Sequence, residues 1–430
     1  MSSMRPAAWS RSSDGPELTV EGLLRRYQAV RELSERICQP LAVDDYQLQS
    51  ILETSPPKWH LAHVSWFFET FVLARFVPEY RPFHDRFGYL FNSYYYTVGH
   101  MHPRPQRGLL SRPTVEQVYD YRRYVDERMR QLLSAADGGQ WEDLAFRVVL
   151  GLQHEQQHQE LMLMDIKHNF SVNPLLPAYR SDLPFCSREA PPLGWLEIAG
   201  GIHEIGAAGQ GFSFDNERPR HRVLLQDHRL ADRPVTNGEF LDFIGDGGYR
   251  RPELWLSDGW ALIQQQGWRH PLYWHQDGGD WVQFTLGGPR PLNPHEPVCH
   301  LSYYEADAYA RWAGKRLPGE AELELMLESR LGDAGNFLDA GMLHPSPAET
   351  GGQWAGDLWN WTASSYAAYP GFKPLKGAMG EYNGKFMSNQ MVLKGGCCVT
   401  PRDHMRASYR NFFYPHDRWP FTGLRLAEDA

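Results

Sequence analysis

Residues 151–162 read Gly151-Leu152-Gln153-His154-Glu155-Gln156-Gln157-His158-Gln159-Glu160-Leu161-Met162. They lie in a run from Trp141 to His168 that has no proline and a single glycine. Its apolar positions Leu144, Val148, Val149, Leu152, Leu161 and Met164 recur at helical spacing, which predicts a helix. On a helix, positions 154 and 158 are one turn apart on the same side, so two imidazoles project together and can close on one metal ion. The string is also a literal His-Glu-x-x-His, the pattern of zinc proteases, in which the glutamate is the general base. The first question is which metal chemistry the pattern serves.

Upstream, Ser55-Pro56-Pro57-Lys58-Trp59-His60-Leu61-Ala62-His63-Val64-Ser65-Trp66-Phe67-Phe68-Glu69 places a serine and two prolines before a long apolar helix. Ser111-Arg112-Pro113-Thr114 starts another, expected to run to Ala135. From Glu17 to Cys38 the spacing of Leu23, Leu24, Tyr27, Val30 and Leu33 predicts an amphipathic helix, and a shorter one is expected over Asp45–Leu52. Residues 1–16 read as a polar tail. Four long helices before residue 170 predict a four-helix bundle over 17–170.

Downstream the periodicity stops. Residues 171–193 are proline-rich (Asn173-Pro174-Leu175-Leu176-Pro177, Pro184, Pro191-Pro192) and read as a linker. Over 194–430 short apolar runs alternate with Gly, Pro, Asp and Asn clusters, the signature of a loop-rich α+β domain. Two helices are expected in it, around Asn237–Asp246 and Tyr304–Gly314. The fold class is thus α plus α+β in two domains, in keeping with 430 residues.

A formal net charge of −9, with 43 basic against 52 acidic residues and no basic run, argues against a nucleic-acid partner. No stretch has the length and apolarity of a signal peptide or membrane span, so the expected location is cytoplasmic and no membrane partner is expected. The five cysteines form no Cys-x-x-Cys pair. Adjacent Cys397 and Cys398 read as two buried thiols, with a vicinal disulfide as the alternative.

The second half resembles the formylglycine-generating-enzyme/sulfatase-modifying-factor domain, a C-type-lectin-like fold. The resemblance rests on Phe214-Asp215-Asn216-Glu217-Arg218-Pro219, Pro234-Val235-Thr236-Asn237, Gly247-Gly248-Tyr249, Glu305-Ala306-x-x-Tyr309-x-x-Trp312-Ala313-Gly314-Lys315-Arg316-Leu317-Pro318, Trp359-Asn360-Trp361-Thr362, Gly395-Gly396, Arg406-x-x-x-Arg410-Asn411 and Gly423-Leu424-Arg425. Cys397 stands where that family usually has serine after Gly-Gly, and the copper-binding cysteine pair of true formylglycine-generating enzymes lies elsewhere in the pattern. Formylglycine formation is therefore not expected. The first half, with Leu61-Ala62-His63 and His154-x-x-x-His158, resembles a DinB-like bundle. The two together resemble the EgtB-like sulfoxide synthases of ergothioneine biosynthesis. Ovothiol-pathway sisters, 5-histidylcysteine sulfoxide synthases, carry an added methyltransferase domain for which no room is expected here.

The resemblance implies that His63, His154 and His158 hold a non-haem iron(II), Fe(2+). Sequence alone divides the third ligand evenly between His60 and His63, and the resemblance selects His63. Three neutral imidazoles on one face leave positions for dioxygen, a thiolate and an imidazole. A zinc protease needs a third ligand downstream of His158, for which Glu189 is the one candidate. The resemblance further implies that Gln157 contacts the betaine substrate, that Tyr94 and Tyr95 are the catalytic phenols, and that Arg104 and Arg107 hold the sulfur donor. Tyr382 or Tyr414 of the second domain is the alternative proton source. Asn411, Phe412 and Phe413 are expected at the substrates, aromatic faces being suited to a quaternary ammonium. Members that use γ-glutamylcysteine carry an acidic residue at the Phe413 position, so phenylalanine there implies free cysteine. The implied reaction joins L-cysteine to hercynine with O2 to give hercynylcysteine S-oxide; the alternatives are γ-glutamylcysteine as donor, the ovothiol-type reaction, or an HExxH zinc hydrolase.

Overall fold

The computed structural model describes residues 19–136, 138–209, 211–332 and 335–430; the expected tail at 1–16 lies outside them. Four long helices form the first half: α1 (Val20–Cys38), α2 (Pro57–Phe68), α3 (Val115–Ser134) and α4 (Trp141–Ser171). Thr19 caps α1 by accepting from the Gly22 amide at 3.1 Å, and Thr114 with Gln117 forms a reciprocal capping box at the start of α3. Pro57 occupies the first turn of α2, where its missing N–H costs nothing. All twelve residues of α2 are buried, so this helix is the centre of the bundle.

The expected helix at Asp45–Leu52 is absent. A single 3-10 turn covers Val43–Gln47, and Leu48 is already extended. Side chains hold the rest: Gln47 donates to the Gly108 carbonyl at 2.6 Å, Gln49 to the carbonyls of Thr54 and Arg104, and Asn169 accepts from the Ser50 amide. These bonds, to neighbouring loops and to the last turns of α4, replace the backbone ladder a helix would have made.

After α4, no regular element intervenes before β1 (Trp195–Ile198). The second half is built of small sheets. β1 and β12 (Ala427–Asp429) flank β4 (His228–Ala231), both antiparallel; β2 (Gly201–Ile205) pairs with β3 (His221–Leu225); β5 (Trp274–Asp277), β6 (Asp280–Thr285) and β7 (Gly288–Pro291) form a meander. The fourth sheet runs β10 (Asn411–Phe413), β9 (Met391–Lys394), β8 (Trp359–Ser365), β11 (Thr422–Gly423), with β11 parallel to β8. The expected helices are present as α5 (Asn237–Gly245) and α7 (Tyr303–Trp312), and two more, α6 (Ser257–Gln266) and α8 (Glu320–Arg330), accompany them. Cys397 and Cys398 are buried free thiols, and no described helix is long and apolar enough to cross a membrane.

The halves meet along α4. Gln153 Oε1 accepts from His404 Nδ1 (2.6 Å) and Arg406 Nη1 (3.0 Å), Gln156 donates to Asp403, and Gln157 Nε2 donates to Tyr409 Oη at 2.6 Å. One turn on, Glu160 accepts from Trp359 Nε1 (2.8 Å) and Thr400 Oγ1 (2.5 Å). The glutamine-rich face is therefore an interface, and Glu155 and Glu160 are both buried.

Candidate metal centre

α2 carries His63 and α4 carries His154 and His158; one ligand nitrogen from each lies within 4.8 Å of the others. All three side chains come from helix interiors, so the backbone places them firmly. His63 is clamped between two indoles: Trp59 stacks on it at 4.6 Å and 13°, Trp66 at 5.5 Å and 16°. Its Nδ1 lies 2.6 Å from the Phe91 carbonyl. A carbonyl only accepts, so Nδ1 carries the proton and the Nε2 lone pair faces the cluster, 3.1 Å from His154 Nε2.

Burial holds His63 and His158 well below the ordinary histidine range and His154 down at about 3. Neutral imidazoles keep the lone pairs that a metal needs. The buried His154 Nδ1 has no partner among the described residues. Three converging neutral nitrogens with no carboxylate among them suit a borderline metal such as iron(II), and the donor set fits the ion the sequence implies.

His60 is not in the cluster. Its Nδ1 meets His158 Nδ1 at 2.7 Å and its Nε2 meets Asp165 Oδ2 at 3.0 Å, so both ring nitrogens are taken. Glu155 faces away from the histidines into the bundle, where Arg31 Nη1 (2.9 Å), Ser34 Oγ (2.7 Å) and Arg122 Nη2 (3.3 Å) donate to it. A fully buried carboxylate held by two guanidiniums has no access to a metal-bound water. Glu189 is exposed and outside the cluster. The zinc-hydrolase alternative lacks its base, and its expected downstream ligand is not at the cluster.

Around the histidines the second domain supplies Tyr382. Its ring stands edge-on to His154 at 5.5 Å and parallel to Tyr95 at 6.5 Å, and its hydroxyl donates to Gln157 Oε1. Tyr95 is buried and its hydroxyl has no partner among the described residues. Tyr94 lies in the same loop, as expected, with φ of 66°, and takes a 2.5 Å bond from Arg104 Nη1. Burial raises the phenols of Tyr95 and Tyr382 far above the ordinary range, so both stay protonated. Tyr414, the other second-domain alternative, is 44% exposed and stacks on His416. Glu381, beside Tyr382, accepts from the amides of Tyr96 and Thr97, each at 3.0 Å, fastening the two tyrosine-bearing segments together.

The arginines are differently placed. Arg107 is buried, its Cζ 3.4 Å from the centroid of Trp59, with Nη1 on Ser55 and Nη2 on Ser93, and burial lowers it to about 9. Arg104 also donates to the Glu53 carbonyl. The Nε groups of both are buried without a partner among the described residues. Asn411, Phe412 and Phe413 form β10: Phe412 stacks on Tyr366 at 4.1 Å, Phe413 meets Trp419 edge-on, and Asn411 Oδ1 takes the Phe412 amide. Phe386 links this strand to the centre, lying 6.0 Å from Phe412 and 5.1 Å from Tyr94. The contributions of Asp165, Tyr409 and Glu381 carried no local signal, since each acts on a residue distant in sequence or on a loop.

Fold and site define a helical bundle whose three-histidine cluster can hold a metal ion, closed by a sulfatase-modifying-factor domain. Residues 187–346 and 347–430 match the sulfatase-modifying factor enzyme 1-like domain, and residues 26–162 the DinB superfamily. The hercynine oxygenase of Mycolicibacterium smegmatis is 31% identical over 92% of this chain and 96% of its own. That of Mycobacterium tuberculosis is 35% identical over 66% and 72%. A formylglycine-generating enzyme of Streptomyces coelicolor is 29% identical over 59% of this chain and 95% of its own. The chain belongs to the EgtB-type family of ergothioneine-biosynthesis enzymes.

Proposed function

We propose that the protein is an iron(II)- and O2-dependent oxygenase that joins L-cysteine to hercynine, giving hercynylcysteine S-oxide and water. The observation that carries this reading is the cluster of His63, His154 and His158, in a chain similar over most of its length to hercynine oxygenases. Iron(II), when bound, supplies positions for the thiolate, the imidazole and O2, and the electrons that activate O2.

The protein's part is to orient, to exclude water and to manage protons. Gln157, held between Tyr382 and Tyr409, presents a polar side chain one position before His158 and orients hercynine. The unpartnered Nε–H groups of Arg104 and Arg107 suit the carboxylate of a small donor, and Phe413 leaves no acidic group for the longer γ-glutamylcysteine. Forming the carbon–sulfur bond and the sulfoxide oxygen releases the C–H and S–H protons to water. Tyr95, whose buried hydroxyl has no protein partner, holds a proton where that transfer occurs; Tyr94 shares the role from its bond to Arg104, and Tyr382 stands across the same space.

The test is to load the metal-free protein with iron(II) without air, add hercynine and cysteine, and admit air. Hercynylcysteine S-oxide by mass, dependent on both iron and air, is expected. Turnover that ignores removal of O2 would overturn the proposal.

A further inference from the structure

The three histidines differ in what stands behind them. The Phe91 carbonyl fixes the tautomer of His63, and none of the described residues fixes that of His154, whose Nδ1 has no partner among them. Behind His158 lies another imidazole, and a ring nitrogen can donate or accept, so the contact alone does not say which tautomer His158 adopts.

The next residue decides it. Asp165 Oδ2 lies 3.0 Å from His60 Nε2 and also accepts the Ser55 amide at 2.8 Å. A carboxylate only accepts, so His60 Nε2 carries the proton. With that one proton on Nε2, the neutral ring keeps a lone pair on its Nδ1. His158 Nδ1, 2.7 Å away, must then be the donor, and the His158 lone pair falls on Nε2.

We propose that Asp165 and His60 form a relay that fixes His158 in the tautomer whose Nε2 lone pair faces the metal. The inference rests on the metal-centre reading above and assigns two positioning residues to it. Asp165 is itself anchored to the start of α2 through Ser55, and Asp165 and His158 lie on the same helix, so the relay also locks α2 and α4 in register. His60 is thereby excluded as a ligand: ligation through either nitrogen would break one of its two bonds. The reverse tautomer would aim a His158 N–H at the metal.

Two measurements test this. In metal-free protein with 15N-labelled histidine, His158 being assigned by the signal lost in His158→Asn, the ring-nitrogen spectrum should show a proton on Nδ1. An Nε2–H there overturns the relay, whether or not the wild type binds iron. The second is affinity for iron(II) and zinc(II) by chelator competition. His60→Phe keeps the ring and loses both bonds, and Asp165→Leu removes the acceptor; each should weaken both metals by about 10- to 100-fold. Asp165→Asn, whose carbonyl can take over both donors, should restore affinity to within about threefold of wild type. Folded His60→Phe and Asp165→Leu proteins that match the wild type overturn the inference and leave the metal centre standing. A wild type that binds no iron(II) overturns the metal centre, and the spectrum still decides the relay. If either substitution prevents folding, the other and the wild-type spectrum carry the test.

Discussion

α4 has two polar faces. On one, Glu155 and Gln159 are closed inside the bundle by Arg31, Arg122, Ser34 and the Val30 carbonyl. On the other, Gln153, Gln156, Gln157 and Glu160 reach into the second domain. His154 and His158 stand at the boundary. In a zinc protease the glutamate of His-Glu-x-x-His serves the metal; in this chain it is part of the bundle's ionic core, and Gln157 is the residue we propose to serve the site. The lesson is that a metal motif fixes its ligands through helix spacing, whereas the role of an intervening acid depends on what packs against its face.

The largest expected effect separates these faces by stability. Glu155→Ala leaves Arg31 and Arg122 without their shared acceptor and should destabilise the fold by about 3–5 kcal/mol. Gln157→Ala should leave stability within about 1 kcal/mol and raise KM for hercynine. Denaturant unfolding and kinetics on both variants check the contrast; the reverse pattern would show that the two faces have been misassigned.

A pH-dependent effect comes next. Lys167, buried near the C-terminal end of α4, meets His300 Nε2 at 2.7 Å and lies over the rings of Tyr273 and Phe421. Burial lowers it from 10.5 to about 8. Between those values the unfolded chain binds more protons than the folded one, so this group makes stability rise as pH climbs from about 8 to 10.5. Below pH 8 the full penalty applies, up to about 3 kcal/mol by its shift. Lys167→Met should lose this part of the pH slope and gain most at neutral pH. Parallel slopes for the two proteins would mean that Lys167 is solvated.

Smaller effects concern the substrates. Free cysteine should exceed γ-glutamylcysteine in kcat/KM, and the opposite order would remove the argument from Phe413. Tyr95→Phe deletes one hydroxyl and keeps the ring against Trp66 and Phe71. It should lower the ratio of sulfoxide to cysteine sulfinic acid severalfold, with Tyr94→Phe/Tyr95→Phe lower still and iron content normal. An unchanged ratio in the double variant would move the proton to Tyr382.

The bundle was legible because its apolar residues keep helical spacing and its starts carry Thr114, Thr19 and Pro57. His154 and His158 were legible from the same spacing, whereas His63 was separated from His60 only by the resemblance. Asp45–Leu52 misled because Gln47, Gln49 and the Ser50 amide bond mainly to residues more than fifty positions away. α8 was missed because Glu320, Glu322 and Glu324 are buried against Arg410, Arg316 and Lys394, so no polar face alternates with an apolar one. Tyr382 was named only as an alternative, since its place beside His154 depends on a contact spanning more than two hundred residues.

The central claim is that His63, His154 and His158 hold one iron and that Glu155 does not take part. Anaerobic iron(II) titration of the wild type, the three single His→Ala variants and Glu155→Gln tests it most directly. We expect one equivalent in the wild type and in folded Glu155→Gln, and loss of that site in each histidine variant. Full iron in all three histidine variants, or its loss in folded Glu155→Gln, would contradict the account.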